Sequence, residues 1–113
     1  MLTRPHRLTA TKDIEKVWKR GHYFSTPVFG LKILRTGAPV SRFAVVAGLQ
    51  VHKRAVKRNL AKRRIREALR KHIMSIAPGF DSVITARAPI VGKSYAEIEE
   101  TLVWALHKVG LLI

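Results

Sequence analysis

Between Lys53 and Lys71 the sequence carries ten Lys or Arg residues and a single acid, Glu67. The run is Lys53-Arg54-Ala-Val-Lys57-Arg58-Asn59-Leu-Ala-Lys62-Arg63-Arg64-Ile-Arg66-Glu67-Ala-Leu-Arg70-Lys71. It does not have the composition of a tail. Ala61, Ile65, Ala68, Leu69, Ile73 and Ile76 recur within and just beyond it at helical spacing. The pattern predicts a helix over about residues 55–75 with one face on a core and the rest turned to a polyanion. The chemistry on offer is recognition: a row of Arg and Lys can neutralise a row of phosphates.

Spacing sorts these side chains. Asn59, Arg63, Arg66 and Arg70 lie four, three and four residues apart and form one stripe. Lys57, Arg64 and Lys71 fall on the other flank. Arg58 and Lys62 continue the apolar face above Ile65 and Leu69, so near the helix start cations replace the core face. Those two are expected to point past the sheet, towards a cleft mouth or a ligand. Asn59 carries both a donor and an acceptor, suited to a sugar hydroxyl, a base edge or a neighbouring loop.

Catalytic chemistry has no comparable signal. A self-sufficient nuclease needs a metal cluster or an acid/base pair. The seven acids are Asp13, Glu15, Glu67, Asp81, Glu97, Glu99 and Glu100, and only the last three are close in sequence. The five histidines are scattered without ligand spacing. Gly30, Gly37 and Gly48 are isolated, so no glycine-rich phosphate loop is present. No catalytic residue and no protein-held metal is expected.

The remaining composition sets bounds. The length of 113 residues suits one domain spanning residues 1–113, and 47% hydrophobic content argues against disorder. A net charge of +15 repels itself and calls for an anionic partner, nucleic acid before membrane. There is no cysteine. No run reaches the roughly 18 apolar residues of a membrane span, and the start, Met-Leu-Thr-Arg-Pro-His-Arg, lacks a signal-peptide core. A cytoplasmic protein without a membrane partner is the expectation.

The positioning elements follow from periodicity. Residues 1–10 read as irregular. Thr11 is placed to cap a helix over about 12–20 with Ile14, Val17 and Trp18 on one face, ended by Gly21. Residues 27–35 and 43–51 read as strands forming an antiparallel pair, with 22–26 as a short edge strand. Pro78-Gly79 ends the basic helix, and Asp81 to Arg87 is a further strand. Ser94 with Glu97 is a capping box for a last helix, whose core face is Ile98, Leu102, Ala105, Leu106 and Val109. The order α-β-β-β-α-β-α makes an α+β sandwich, a mixed four-stranded sheet packed by helices.

Arg58-Asn59-x-x-Lys62-Arg63-x-Ile65-Arg66-Glu67 resembles the signature of the bacterial ribonuclease P protein component family. The resemblance extends over nearly the whole chain. Arg7-Leu8, Asp13, Val17 and Gly21 match the amino-terminal pattern, and Phe29 matches an aromatic strand position. Gly48-Leu49-x-Val51-x-Lys53 matches the segment entering the signature helix, and Gly79-Phe80-Asp81 with Val83-Ile84 and Arg87 matches the strand after it.

The resemblance implies a small basic cofactor of a catalytic RNA in an endonuclease that frees the mature 5′ end of tRNA. It implies that magnesium ions act in the RNA subunit, that the catalytic RNA and precursor tRNA are the partners, and that one protein serves each RNA. It also implies a left-handed crossover through the signature helix. By position, Lys53, Arg54, Lys57, Arg58, Asn59, Lys62, Arg63, Arg66 and Arg70 are the expected RNA contacts. Ile14, Trp18, Phe29 and Lys32 are expected in a cleft for the 5′ leader. Trp18 and Phe29 can stack on a base there or pack in the core.

The chain departs from the family pattern in several places. The loop from Val51 to Ala55 is about three residues shorter than is usual in the family. Ile14 and Lys32 stand where aromatics are common, so the cleft should lean on phosphate charge more than stacking. Leu60 and Ala61 replace a basic and a larger aliphatic residue.

Three rival functions remain: another RNA-binding module, a peripheral membrane protein and an autonomous ribonuclease. A membrane-binding helix needs a large aromatic or Leu face. Ala61, Ile65 and Ala68 suit a sheet instead.

Overall fold

The structure, a computed structural model, describes residues 2–112. Helix α1 (Thr11–Arg20) is followed by strands β1 (His22–Ser25), β2 (Phe29–Arg35) and β3 (Arg42–Val46). Helix α2 (Ala55–His72) leads through a 3-10 turn to β4 (Phe80–Ala86), and helix α3 (Tyr95–Lys108) closes the order. The fold is the expected α+β sandwich with a mixed four-stranded sheet.

The sheet order is β1-β2-β4-β3. β1 and β2 are antiparallel, β2 and β4 are antiparallel, and β3 and β4 are parallel. The expected antiparallel pairing of the strands around 27–35 and 43–51 is therefore wrong. β4 lies between them, because Asp81, Ser82, Val83 and Ile84 are buried on both faces and need a central place. The second strand is also shorter than expected. Beyond Val46 the chain turns, and the Val51 amide donates to the Gly48 carbonyl at 3.0 Å.

Alternation along the strands divides the core in two. Phe29, Leu31, Phe43, Ile84 and Ala86 face α2 and α3, where they meet Ile65, Ala68, Leu69, Ile98, Leu102 and Leu106. The opposite face is thinner. There Val17 of α1 packs on Leu8 and Val83, with Ile14, Leu34 and Ala44 partly buried around them. α2 is regular to His72, and Ile73–Ser75 continues as the 3-10 turn. The Ser94 capping box of α3 is complete. It holds the Glu97 carboxyl below the usual range, through the Ser94 backbone amide first and the hydroxyl second.

Residue 11 is not the cap of α1. Ala10 takes that place and offers no side-chain bond. A polar clamp holds the helix instead. Arg42 on β3 donates to both carboxylate oxygens of the buried Asp81, at 3.0 and 2.7 Å, and to Asp13 of α1 at 3.3 Å. The hydrogen bond to Asp81 raises the Arg42 pKa further above its ordinary value. At the other end of α1, Gly21 lets two backbones meet. A Cβ there would lie 2.5 Å from the Val17 carbonyl oxygen and 2.8 Å from that of Ile33.

Residues 2–10 are irregular apart from a 3-10 turn at Arg4–His6, and they pack along the sheet edge. Leu2 and Leu8 are buried, Arg7 forms a parallel bridge with Phe43, and the Leu8 amide donates to the Phe43 carbonyl at 2.9 Å. An apolar residue at each end of the segment supplies the anchor.

Removing one partner of a buried ion pair strands the other. Arg42→Met is expected to cost about 3 kcal/mol of stability in urea denaturation, and much less when Asp81→Asn is already present. Equal costs in both backgrounds would show that Arg42 acts by packing rather than through the clamp.

Candidate nucleic-acid interface

α2 buries Ala61, Ile65, Ala68 and Leu69 and leaves its cations outside. Lys53, Arg54, Lys57, Asn59, Arg63 and Arg70 are exposed, whereas Arg58, Lys62 and Arg66 are half-buried. The stripe Asn59, Arg63, Arg66 and Arg70 therefore runs along an accessible face, with Arg70 paired to Glu67 at 3.3 Å. On the far flank Arg64 and Lys71 serve the fold. Arg64 donates to the Lys93 carbonyl. Lys71 and His72 both reach Glu99 of α3 at 2.9 Å. The bond from Lys71, then that from His72, holds the Glu99 carboxyl below its ordinary value.

Arg58 turns back to the loop that precedes the helix. One guanidinium nitrogen donates to the carbonyls of His52 and Lys53, at 2.9 and 2.7 Å. The His52 ring accepts from the Arg54 amide at 3.0 Å. The short loop from Val51 is thus tied to the first turn of α2, with Lys53 and Arg54 outside it. Arg58 ties the loop that carries these cations, and it is not among the residues that line the cleft beneath α1.

A cleft of about 580 Å³ opens between α1 and the sheet. Ile14 and Trp18 form its α1 wall, Ala44, Val46, Val83 and Thr85 line it on the α1 face of the sheet, Phe43 and Val45 continue it round the edge strand β3 towards α2, and Leu2, Leu8 and Thr9 add the amino-terminal rim. Trp18 is 43% exposed, so one part of the indole is open to a ligand. The charged lining residues are Arg7 and Arg66. Arg66 reaches the cleft from α2, so the basic stripe and the cleft meet at one side chain. The rest of the lining is mostly apolar.

The structure separates the four expected cleft residues. Ile14 and Trp18 line the cleft. Phe29 does not: it is fully buried on the α2 and α3 side, because its position in the β2 alternation matches Leu31 and Ile33. Lys32 lies on the α1 side of β2, beside Val83, but outside the cleft lining. Arg7, Thr9, Val46 and Thr85 were not expected there. Alternation in β4 already put Val83 and Thr85 on one face, but the docking of residues 2–10 left no periodic signal.

Among the described residues, no group of three or more His, Cys, Asp or Glu is placed to hold a metal ion. No helix among them is long and apolar enough to cross a membrane.

The family model described as Ribonuclease P matches residues 2–110. The chain is 38% identical over 90 residues to the ribonuclease P protein component of Synechococcus elongatus, covering 76% of this chain and 74% of that one. It is 33% identical over 110 residues to that of Geobacillus kaustophilus, covering 96% and 90%. The fold is shared with the Staphylococcus aureus RNase P protein, with a TM-score of 0.86, 23% identity and coverage of 96% and 98%. The Thermotoga maritima RNase P protein gives 0.81 at 25% identity, covering 90% and 96%. With the signature stripe exposed on α2 and the family match running almost from end to end, the chain belongs to the bacterial ribonuclease P protein component family and is a subunit of ribonuclease P, the ribonucleoprotein of tRNA 5′ processing.

Proposed function

We propose that α2 binds the catalytic RNA while the cleft beneath α1 holds the 5′ leader of precursor tRNA. The observation that carries this reading is the continuity of the two surfaces through Arg66, which lies on the α2 stripe and also lines the cleft. Lys53, Arg54, Lys57, Asn59, Lys62, Arg63, Arg66 and Arg70 supply charge and hydrogen bonds to RNA, and Arg58 holds the loop that presents the first of them. In the cleft, Trp18 stacks on a leader base and Ile14 packs beside it, while Arg7 and Arg66 meet phosphates at the rim. Lys32 lies farther along the same sheet face and contributes longer-range attraction.

In this reading the endonucleolytic hydrolysis belongs to the RNA subunit, which holds the magnesium ions. The protein lowers the magnesium needed by neutralising phosphates where the two RNAs approach. One protein serves each RNA, in the cytoplasm.

The direct test is cleavage of precursor tRNA by a bacterial ribonuclease P RNA at near-physiological magnesium, with and without this protein. Strong stimulation at the mature 5′ end is expected. Tight RNA binding without stimulation would return the chain to the wider class of RNA-binding modules.

The two arginines of the signature should part company. Arg63→Ala is expected to lower the salt slope of binding to the catalytic RNA by about 0.7–0.9. Arg58→Ala should weaken binding with little change of slope, because it loosens the loop rather than deleting a phosphate contact. A full unit lost from the slope in Arg58→Ala would contradict the tether. For the cleft, Trp18→Ala should weaken leader-bearing precursor about tenfold, within the range of one base stack, and leave mature tRNA unaffected. Equal losses on both substrates would place the indole in folding alone.

A further inference from the structure

The outer face of α1 carries a second row of cations that the leader cleft and the signature helix do not use. Lys12, Lys16 and Lys19 are spaced four and three residues apart, and Arg20 follows at four from Lys16. All four are exposed. Lys12, Lys16 and Lys19 fall on the side of the helix opposite Ile14 and Val17, the residues with which α1 packs on the sheet. Among the described residues none of the four takes part in an ion pair.

Local physics does not favour this row. Like charges at i and i+4 destabilise a helix, and both Lys12–Lys16 and Lys16–Arg20 have that spacing. Lys12 also lies in the first turn, where the helix dipole disfavours a cation. Only Lys19 and Arg20, in the last turn, are explained by the dipole. The acids of α1 bring partial relief: Asp13 is committed to Arg42, and Glu15, four residues before Lys19, is the one other carboxylate on the helix. Elsewhere the chain does pair its cations, as Lys71 with Glu99 and Lys93 with Glu97.

The row also has an address. Trp18 stands at the cleft wall and Lys19 is the next residue. A strand leaving the cleft past Trp18 and turning over α1 meets Lys19, then Lys16, then Lys12, within about 10 Å of helix. This face is on the other side of the sheet from α2, so one RNA segment lying on α2 does not cover both.

We propose that Lys12, Lys16 and Lys19 form a second phosphate-binding track, over which the leader passes after it leaves the cleft. The track reads backbone charge and not bases, since it offers ammonium groups alone. The inference rests on the cleft being the leader site.

The test uses the reconstituted holoenzyme and two precursors, one with a leader only long enough to fill the cleft and one extended well beyond it. The variant is Lys12→Gln/Lys16→Gln/Lys19→Gln, whose sites are exposed and whose fold is checked by thermal denaturation. Wild-type protein is expected to bind the long-leader precursor more tightly. The variant should lose that advantage, with its salt slope lowered by about 0.7 for each contact removed, and should bind the short-leader precursor as wild type does. Unchanged long-leader affinity would overturn the track. So would an equal loss on both precursors, or weaker binding to the catalytic RNA alone, which would assign the row to that RNA. Trp18→Ala run beside it separates the two readings: if it spares leader-bearing precursor, the cleft assignment itself fails.

Discussion

A ten-residue helix cannot cover a four-stranded sheet. α1 is about 15 Å long, and its apolar face amounts to Ile14, Val17 and the open side of Trp18. On the other face α2 and α3 together seal the core with Ile65, Leu69, Ile98, Leu102 and Leu106. The inequality between the two layers produces the cleft. Val46 and Thr85 lie where α1 does not reach, and the amino-terminal segment closes one side without filling the space. The cleft is thus a consequence of incomplete packing beside a helix that the Arg42 clamp ties to the sheet.

Charge is arranged with the same asymmetry. The acids that make ion pairs on the α2 and α3 side, Glu67, Glu97 and Glu99, meet cations that serve the fold or end a stripe. The signature stripe and the outer face of α1 keep cations beyond those pairs. A net charge of +15 is a standing repulsion in the isolated protein. RNA removes it, so the folded chain gains stability from the same contacts through which it functions.

Much of this is legible in the sequence. The basic helix, its apolar seam and the complete capping box at Ser94 are local patterns, and local patterns survive folding. The family signature added the partner. Pairing of distant strands was not legible: nothing in the residues around 27–35 and 43–51 says that β4 will come between them. Phe29 and Trp18 read alike as aromatics at regular spacing. Only the sheet register and the reach of α1 decide that one is sealed and the other open. The tether from Arg58 to the His52 and Lys53 carbonyls was equally silent, because backbone acceptors have no sequence signature.

Gly21 gives the cleft its gauge. The Val17 and Ile33 carbonyls approach this residue so closely that a methyl group would press on backbone from both sides. Backbone cannot swing aside as a side chain can. A substituent at Gly21 would act as a wedge under the end of α1, tilting Trp18 and changing the width of the groove. The residue that meters the spacing between the indole and the sheet is thus one that no RNA need ever touch.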